Sequence, residues 1–480
     1  MNRYSRALMS RWASFGPAFL PFADAATPEL PLSRLLRLSL FQVSVGMALV
    51  LLVGTLNRVM IVELGVSASL VALMVALPVL YAPFRALVGF RSDNHRSALG
   101  WRRVPFIWMG TLIQFGGLAV MPFALLVLSG AGNASQWPAW IGQLGAALAF
   151  LAVGAGLHTT QTAGLALATD LAPKESQPRV VGLMYVMLLL GTIVSAFLFG
   201  AYLRDFTPGR LVQVIQAAAL ATMVLNGIAL WKQEPRVRGR FAERTKEPSF
   251  REAWGTYIEG DGARRRLVAI ALGTMAFAMQ DVLLEPYGGQ VLGMNVGETT
   301  WLTATLALGG LVGFSWASRV LGRGSDAARM SSLGAWLGIP AFAAVILAAT
   351  LESVAVFAFG VLLIGFAGGI FGHGTLTITM NRAPKEQVGL ALGAWGAVQA
   401  TAAGIAVALG GILRDVVGAL AAKGTFGPSL AHPATGYTAV YLIEIGLLVA
   451  TIVAMAALVG DRRRDEPAPP ATLQAGPTTP

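Results

Sequence analysis

The chain is a succession of long apolar runs separated by short segments rich in charge, proline or glycine. A helix needs about 20 apolar residues to cross a bilayer, and these runs reach that length. They predict an all-α integral membrane protein with twelve transmembrane helices, because only helices and closed barrels satisfy every backbone polar group in lipid. The predicted helices occupy residues 36–62, 66–90, 104–129, 140–168, 179–203, 210–231, 267–292, 300–322, 331–350, 353–380, 388–414 and 437–459.

Two short sequences recur at nearly the same interval along the chain. The tetrad APKE begins at Ala172, after the fourth predicted helix, and again at Ala383, after the tenth. The tripeptide LRD begins at Leu203 and again at Leu413. Each copy lies six helices beyond the first, which indicates a duplicated six-helix half. Two such halves are the organisation of the major facilitator superfamily fold.

The repeat divides the chain into two halves, 36–231 and 267–459, joined by a basic linker at 232–266. The linker either forms a surface helix or is solvated, and both interpretations stay open. Residues 1–35 are predicted to lie on the cytoplasmic face, because their apolar run is short and interrupted by proline, unlike a cleaved signal peptide. The Pro-rich tail at 460–480 is predicted to be disordered.

Composition supports a membrane protein and limits its chemistry. Hydrophobic residues make up 55% of the chain and charged residues only 12%, too few for a soluble globule. The formal net charge of +11 would suggest a nucleic-acid partner in a soluble protein, but here Lys and Arg are concentrated in alternate loops. The positive-inside rule therefore predicts that both termini and the linker are cytoplasmic. Cysteine is absent, which excludes disulfides, iron–sulfur clusters and thiolate zinc sites.

The loop between the second and third predicted helices carries a recognisable pattern. In GFRSDNHRSALGWRR, the residues Gly89, Asp93, Gly100, Arg102 and Arg103 resemble the signature of facilitators at this place, with a longer interval between the Asp and the second Gly. The loop is either a solvated basic segment or a charge latch that holds the two halves in one state. We favour the latch, which predicts contacts with both halves.

Charged residues are few inside the predicted helices, and three of them stand out. Asp281 and Glu285, in MQDVLLEPYGGQ, are four residues apart and would share one helix face, followed by the helix breaker Pro286. Aligning the first helix with the seventh places Arg58 at the position of Asp281, so we expect a charge cluster between the halves. A salt bridge at the outer gate is the favoured interpretation, and a proton or substrate site in the central cavity is the alternative.

Two histidines lie within predicted helices, His158 in GAGLHTTQTAG and His373 in GGIFGHGTLT. Both are flanked by glycines and small hydroxyl residues, which let a large flat molecule or a neighbouring helix approach. Each imidazole either serves as the axial ligand of a metallotetrapyrrole or is hydrogen-bonded to an adjacent helix, which is the commoner arrangement. His158 is the stronger ligand candidate, because its neighbours one turn away are smaller.

Three longer strings carry a family resemblance: SLFQVSVGMALVLLVGTLNRVMIVELGV, LPVLYAPFRALVGFRSDNHRSALGWRRVPFIWMGTL and AFAMQDVLLEPYGGQVLGM. Residues 25–458 resemble the bacteriochlorophyll-delivery branch of the major facilitator superfamily, the PucC/LhaA family of purple phototrophs. The resemblance implies assembly of light-harvesting complexes by handing bacteriochlorophyll to antenna polypeptides in the bacterial inner (intracytoplasmic) membrane. Membrane lipid and pigment-synthesis enzymes are further partners that it implies. Within the family, the LhaA type is favoured over the PucC type.

Two functional hypotheses follow. A pigment-handling assembly factor needs apolar walls, grooves lined by small residues and few charges, whereas a proton-coupled transporter of a small solute needs titratable groups at mid-membrane depth. The many glycines of helices four, five, ten and eleven favour the first hypothesis, and Asp281 supports the second. The sequence shows no nucleophile–base pair and no metal-ligand cluster with catalytic spacing, so we expect neither an enzyme nor a metal site.

Overall fold

The structure is a computed structural model that describes residues 22–81, 84–85, 88–89, 91–92, 97, 100–130, 132–173, 176–235, 262–382 and 388–465, and every regular element within them is a helix. The helices are α1 (Leu32–Glu63), α2 (Ala68–Leu80), α3 (Val104–Leu128), α4 (Ala139–Leu171), α5 (Gln177–Tyr202), α6 (Pro208–Leu230), α7a (Ala263–Ala278), α7b (Leu284–Leu292), α8 (Val296–Gly322), α9 (Ala327–Thr350), α10 (Val354–Arg382), α11 (Val388–Ala422) and α12 (Ala434–Asp465).

The number and order of the helices agree with the prediction. In the described part of the chain, ten helices are long and apolar enough to cross a bilayer, α7a and α7b form one bent span, and α2 is a shorter apolar helix. The chain is therefore a multi-pass, all-α membrane protein. Some ends differ, since α11 continues to Ala422 and α12 to Asp465, beyond the predicted ends at 414 and 459.

The winding of α1 changes twice in its second half. Wide π turns occupy Val50–Thr55 and Val59–Glu63, and a short α-helical piece, Leu56–Arg58, separates them. A π turn forms hydrogen bonds between residues five apart, so side chains five apart lie near each other along it. This part of α1 is buried among the other helices, and its winding decides which side chains meet α7b.

The span α7 is broken one turn before Pro286. A tight 3₁₀ turn covers Met279–Val282 between α7a and α7b, whose axes are bent by 45°. Pro286 has no N–H and cannot bond to the carbonyl of Val282, one turn earlier. As the third residue of α7b, it lies where a helix N–H has no intrahelical partner, so the missing donor costs little. The helix breaker therefore lies in the first turn of α7b, directly after the break.

Glycines bring neighbouring helices of each half into backbone contact. A Cβ atom on Gly156 of α4 would lie 2.7 Å from the Cα of Gln114 on α3, and one on Gly369 of α10 would lie 2.9 Å from the backbone nitrogen of Phe314 on α8. Real Cβ atoms do not approach so closely, so these helix pairs depend on glycine. At these positions the abundant glycines serve helix packing.

Contacts of α2 with α11, and of α5 with α8, join the first six helices to the last six. A Cβ atom on Gly411 of α11 would lie 2.6 Å from the carbonyl oxygen of Ala68, at the start of α2. One turn further along α11, Oδ2 of Asp415 accepts a 2.6 Å hydrogen bond from the backbone N–H of Ser69. The two halves are thus tied together where α2 begins.

Candidate functional site

A buried carboxyl group contacts the break in α7. Gln280 lies in the tight turn, and its backbone N–H donates a 2.7 Å hydrogen bond to Oε1 of Glu444 on α12. Glu444 is fully buried, and its Oε2 makes no hydrogen bond. The side-chain amide of Gln280 donates to Oδ1 of Asp281 at 2.5 Å. One glutamine in the turn therefore bonds to two carboxyl groups.

Glu285, on α7b, is a second buried acid of this region, whereas Asp281 is half-buried. It accepts a hydrogen bond from the hydroxyl of Thr303 on α8, while its Oε2 makes none. Among the residues that the structure describes, no Lys, Arg or His forms an ion pair with Asp281, Glu285 or Glu444. We call these three residues the carboxyl cluster.

Arg58 forms its ion pair within α1. Its Nη1 bonds to Glu63, and its Nη2 donates to the carbonyl of Met294, just after α7b, at 3.1 Å. The expected ion pair of Arg58 with Asp281 or Glu285 is therefore not formed. Residues five apart diverge on an α-helix, but the π turn at Val59–Glu63 brings Arg58 and Glu63 together. Arg58 still lies between α1 and α7b, as predicted.

Asp281 and Glu285 do not share a helix face, which corrects the prediction from their four-residue spacing. Asp281 belongs to the 3₁₀ turn and Glu285 to α7b, and the 45° bend separates them. The carbonyl of Asp281 is directed to α1, where the amide nitrogen of Asn57 lies at 3.5 Å. Arg58, Asp281 and Glu285 lie in one region between the halves, as predicted, but they bond to other residues and not to one another.

A second polar group joins α1, α2 and α4. Arg85, in the helical residues 84–85 that follow α2, donates from Nε to Oγ1 of Thr162 at 3.1 Å and from Nη2 to Oε1 of Gln161 at 3.3 Å. Gln161 in turn donates to Oε1 of Gln42 on α1 at 3.3 Å. His158 lies one turn before Thr162, whose hydroxyl donates a 2.7 Å hydrogen bond to the carbonyl oxygen of His158. We call these five residues the Arg85 cluster.

His158 is half-buried, and neither of its ring nitrogens bonds to a described residue. The hydrogen bond to a neighbouring helix, which was the favoured interpretation, is therefore not formed there. Gly154, one turn earlier, was expected to leave room for a flat molecule. A Cβ atom on it would lie 2.8 Å from the Cα of Pro78, so this glycine accommodates α2. The glycine beside His158 therefore serves the packing of α2 against α4.

His373 lies in a more crowded place. Its ring packs edge-on against Phe314 of α8, with 4.3 Å between the ring centroids. The space beside Gly369, one turn earlier, is filled by the backbone of α8. No described residue bonds to the ring nitrogens of His373, so here too the favoured hydrogen bond to a neighbouring helix is not formed. An aromatic contact orients this ring, in contrast to the polar surroundings of His158.

The basic loop after α2 bonds to acids of the first half. Nη2 of Arg102 and Nε of Arg103 lie 2.6 and 3.0 Å from Oδ2 of Asp170, at the end of α4. The carboxylate of Glu234, after α6, accepts the backbone N–H groups of Arg102, Arg103 and Val104 at 2.8 to 3.1 Å. Glu234 thereby caps α3, since these N–H groups have no acceptor within the helix.

The remaining residues of the predicted signature have separate roles. Gly100 has a φ of +80°, a left-handed conformation that favours glycine. A Cβ atom on Gly89 would lie 3.9 Å from Cγ2 of Thr162, an ordinary contact, so no close helix approach requires this glycine. Asp93 lies outside the described residues, and the latch between the halves stays a prediction.

Among the charged residues of the carboxyl cluster, the Arg85 cluster and the Arg58 ion pair, sequence reasoning missed three: Glu63, Arg85 and Glu444. Each was visible as a charged residue within or at the end of an apolar run, as in YLIEIGLLVA for Glu444 and APFRALVGF for Arg85. The alignment of the first helix with the seventh selected charges at matched positions. Glu63, Arg85 and Glu444 have no charged counterpart in that alignment and were not selected, although burying their charges in lipid costs as much free energy.

Comparison with known proteins decides the family. Residues 55–463 match the sequence profile of the family described as PUCC protein, which is most of the chain. The chain belongs to the PUCC family. Protein PucC of Rhodovulum sulfidophilum is 65% identical over 420 residues, which cover 87% of this chain and 92% of that protein. Protein PucC of Cereibacter sphaeroides is 58% identical over 444 residues, which cover 92% and 96%.

A more distant relative from Rhodobacter capsulatus, 27% identical over 402 residues that cover 80% of this chain and 88% of that protein, is named Bacteriochlorophyll synthase 44.5 kDa chain. These comparisons confirm the predicted PucC/LhaA family. The preference for the LhaA type over the PucC type stays a prediction.

Solved structures confirm the facilitator fold. A bacterial homologue of the human lysosomal transporter Spinster, inward-facing and unoccupied, is similar with a TM-score of 0.65 at 16% identity, covering 91% of this PUCC family chain and 98% of that chain. A bacterial homologue of the iron transporter ferroportin, inward-facing, has a TM-score of 0.62 at 15% identity, covering 88% and 97%. At this identity the similarity concerns the fold alone.

Proposed function

We propose that this PUCC family member assists the assembly of light-harvesting complexes by binding bacteriochlorophyll and delivering it to antenna polypeptides. It acts as a carrier and not as an enzyme. The family membership and the name of the Rhodobacter capsulatus relative, which mentions the same pigment, support the proposal. Pigment-synthesis enzymes would supply the cargo. The positive-inside rule supports a location in the bacterial inner (intracytoplasmic) membrane with both termini on the cytoplasmic side.

The observation that carries pigment binding is the unbonded imidazole of His158. Neither ring nitrogen has a hydrogen-bond partner among the described residues, although the side chain is half-buried within a membrane protein. A polar group left without a partner in a bundle costs free energy unless a ligand satisfies it. The magnesium of bacteriochlorophyll takes an axial ligand, and an imidazole nitrogen can provide it. His373 is the second candidate, because Phe314 already contacts its ring.

The test uses the full-length protein, gently solubilised from pigment-producing membranes and purified. We expect its absorbance spectrum to show bound bacteriochlorophyll. His158→Leu should lower the pigment per protein severalfold while membrane abundance stays near normal, and His158→Asn should retain part of it through a weaker oxygen ligand. The matched control is His432→Leu, which removes an exposed loop histidine.

Two results would contradict the proposal at different levels. Unchanged pigment content in the double variant, His158→Leu with His373→Leu, would reject histidine ligation. The protein would then bind pigment through other residues. A wild-type protein that carries no pigment, isolated from membranes that contain it, would reject the carrier function itself.

The carboxyl cluster favours a second candidate function, proton-coupled transport of a small solute. A carboxyl group inside the membrane costs about 2.5 to 3.5 kcal/mol on insertion scales, so such groups are typical of proton and ion pathways. Asp281 and Glu444 meet at a broken helix, and broken helices form the substrate and ion sites of many transporters.

A further inference from the structure

Two glycines on one face of α5 have different neighbours. Gly182 and Gly200 are 18 residues apart, which is about five turns of an α-helix, so they lie on the same face of α5, about 27 Å from each other. A Cβ atom on Gly200 would lie 2.8 Å from the carbonyl oxygen of Gly297 on α8. A Cβ atom on Gly182 would instead lie 2.9 Å from ring carbons of Phe22, a residue that precedes α1. The face of α5 that meets α8 at one end therefore meets Phe22 near the other.

The ring of Phe22 also contacts α8. Its centroid lies 6.0 Å from the ring centroid of Phe314, with 59° between the ring planes. Phe314 is 17 residues after Gly297, a rise of about 26 Å along α8, which places it at the level of Gly182. The helices α5 and α8 thus touch each other directly near Gly200, whereas near Gly182 a phenyl ring from outside both helices bridges them.

The segment that carries Phe22, residues 22–31, is anchored on the first half. Ala25 and Leu30 are buried in an apolar cluster with Leu183 of α5. Phe22 itself is half-buried and has a φ of +62°, a left-handed conformation that is uncommon for a bulky residue and persists where surrounding contacts hold it. We call residues 22–31 the strap, because the segment is fixed to the first half and contacts the second half through the ring of Phe22.

The seam between α5 and α8 connects lipid with a candidate pigment ligand. Leu198 of α5 is 64% exposed and Val312 of α8 is 51% exposed, and large apolar side chains exposed on membrane-spanning helices face the acyl chains. Phe314, which the strap contacts, also packs edge-on against His373 with 4.3 Å between the ring centroids. The rings of Phe22, Phe314 and His373 therefore form a continuous row of contacts that begins at the seam.

We infer that the strap is a gate. The ring of Phe22 closes the seam between α5 and α8 near the start of α5, and it withdraws to let a flat, apolar ligand pass between lipid and His373. The closure is reversible, because a single half-buried ring pair holds it and such pairs are weak. The ion pair of Asp24 with Arg179, at 3.6 Å, is exposed and adds little. Bacteriochlorophyll as the ligand rests on the proposed function, whereas the gate itself does not.

The gate is tested by the distance across the seam. The chain contains no cysteine, so spin labels can be attached at Gln177→Cys, where α5 begins, and at Arg319→Cys, near the end of α8. Pulsed EPR on the full-length protein in lipid nanodiscs should give one main distance. Adding Phe22→Ala should raise the population at longer distances about 2- to 12-fold, which is the factor that an aromatic pair contributes to an equilibrium.

Three further variants separate the gate from general effects on folding. Gly182→Ala should also increase the longer distances, because the added methyl group displaces the ring while residue 22 stays unchanged, and it keeps the gate testable if Phe22→Ala does not fold. Asp24→Asn removes the exposed ion pair of the same strap, and Phe359→Ala removes a phenyl ring that is 59% exposed on α10. These two controls should leave the distances unchanged.

Passage of the ligand is measured on the same variants without labels, as the rate at which bound bacteriochlorophyll moves to pigment-free nanodiscs. Phe22→Ala should raise this rate by the same factor as the longer distances. Unchanged distances in both Phe22→Ala and Gly182→Ala would overturn the gate and leave the pigment function standing. Longer distances with an unchanged transfer rate would overturn the seam as the route of the pigment. A wild type without bound pigment would reject the proposed function and the pigment as ligand, while the label distances still decide whether the gate exists.

Discussion

The two halves of the bundle contain ionisable groups of opposite type, a base in the first half and acids in the second, that form no ion pair with a described residue. In the first half, Arg85 lies among neutral side chains of α1 and α4. In the second half, Asp281 and Glu444 meet at the break in α7 without a described cation in ion-pair contact. Arg58, between the halves, is neutralised by Glu63 within its own helix. The difference suggests that paired charges stabilise the bundle, whereas the unpaired ones are kept for a ligand or a proton.

The largest effect is expected where a paired charge is reversed. Arg58 is 3% exposed and bonds to both Glu63 and the carbonyl of Met294. Arg58→Glu places like charges together in a buried position and should lower the free energy of unfolding by about 4 kcal/mol or more. Arg58→Gln should cost about 1 to 2 kcal/mol, because the half-exposed Glu63 can turn to solvent. Thermal midpoints in detergent and membrane abundance measure the difference.

Glu63→Gln is the matched control for Arg58, since it removes the acid of the same pair and should cost less than Arg58→Glu. Equal thermal midpoints for Arg58→Glu and Arg58→Gln would show that this pair does not hold α1, and would remove the contrast between paired and unpaired charge.

A middle-sized effect is expected at Glu444. Its Oε1 is the acceptor of the Gln280 backbone N–H, which lies in the break of α7. Glu444→Leu leaves that donor unsatisfied in a buried place and should cost about 1 to 3 kcal/mol. Glu444→Gln keeps an oxygen acceptor and should stay near wild type. If the Leu and Gln variants unfold at the same temperature, the hydrogen bond to Gln280 does not stabilise the break.

The smallest effect on stability is expected for Asp281→Asn. The amide keeps Oδ1 as acceptor for Gln280, and no described cation loses a partner, so the change should stay within about 1 kcal/mol. The Asp281→Asn variant also distinguishes the two proposed functions. A proton-coupled transporter would lose proton uptake in this variant, measured with a pH dye in proteoliposomes, whereas the pigment content of a carrier would not change. Proton uptake by wild type that Asp281→Asn abolishes would favour the transporter.

The helical framework could be predicted because it depends on one dominant physical requirement. Apolar length decides which segments cross the membrane, and the twelve predicted segments correspond to the observed helices. The helix ends were harder to predict, because they depend on local capping rather than on apolar length, and α11 and α12 end later than predicted, at Ala422 and Asp465. The domain boundaries stay predictions.

The candidate sites were harder to predict because their geometry departs from the regular α-helix. Four-residue spacing placed Asp281 and Glu285 on one face, but a 3₁₀ turn and a bend separate them. Glu63 was overlooked as the partner of Arg58 because five-residue spacing brings side chains together only in a π turn. Both departures lie where α1 meets α7, and hydrophobic periodicity averages over several turns and cannot detect a single irregular one.

The hydrogen bond from the Ser69 N–H to Asp415 has a consequence for conformational equilibrium. It completes the first turn of α2 with an acceptor from α11, and such a cap is worth about 0.5 to 2 kcal/mol. Donor and acceptor belong to different halves, so this stabilisation exists only while α2 and α11 touch at that place. Separating them would return the N–H to solvent, and the cap therefore raises the population of the joined conformation by a factor of about 2 to 30. The hydrogen bond at the start of α2 therefore shifts the equilibrium towards conformations in which the two halves touch at that place.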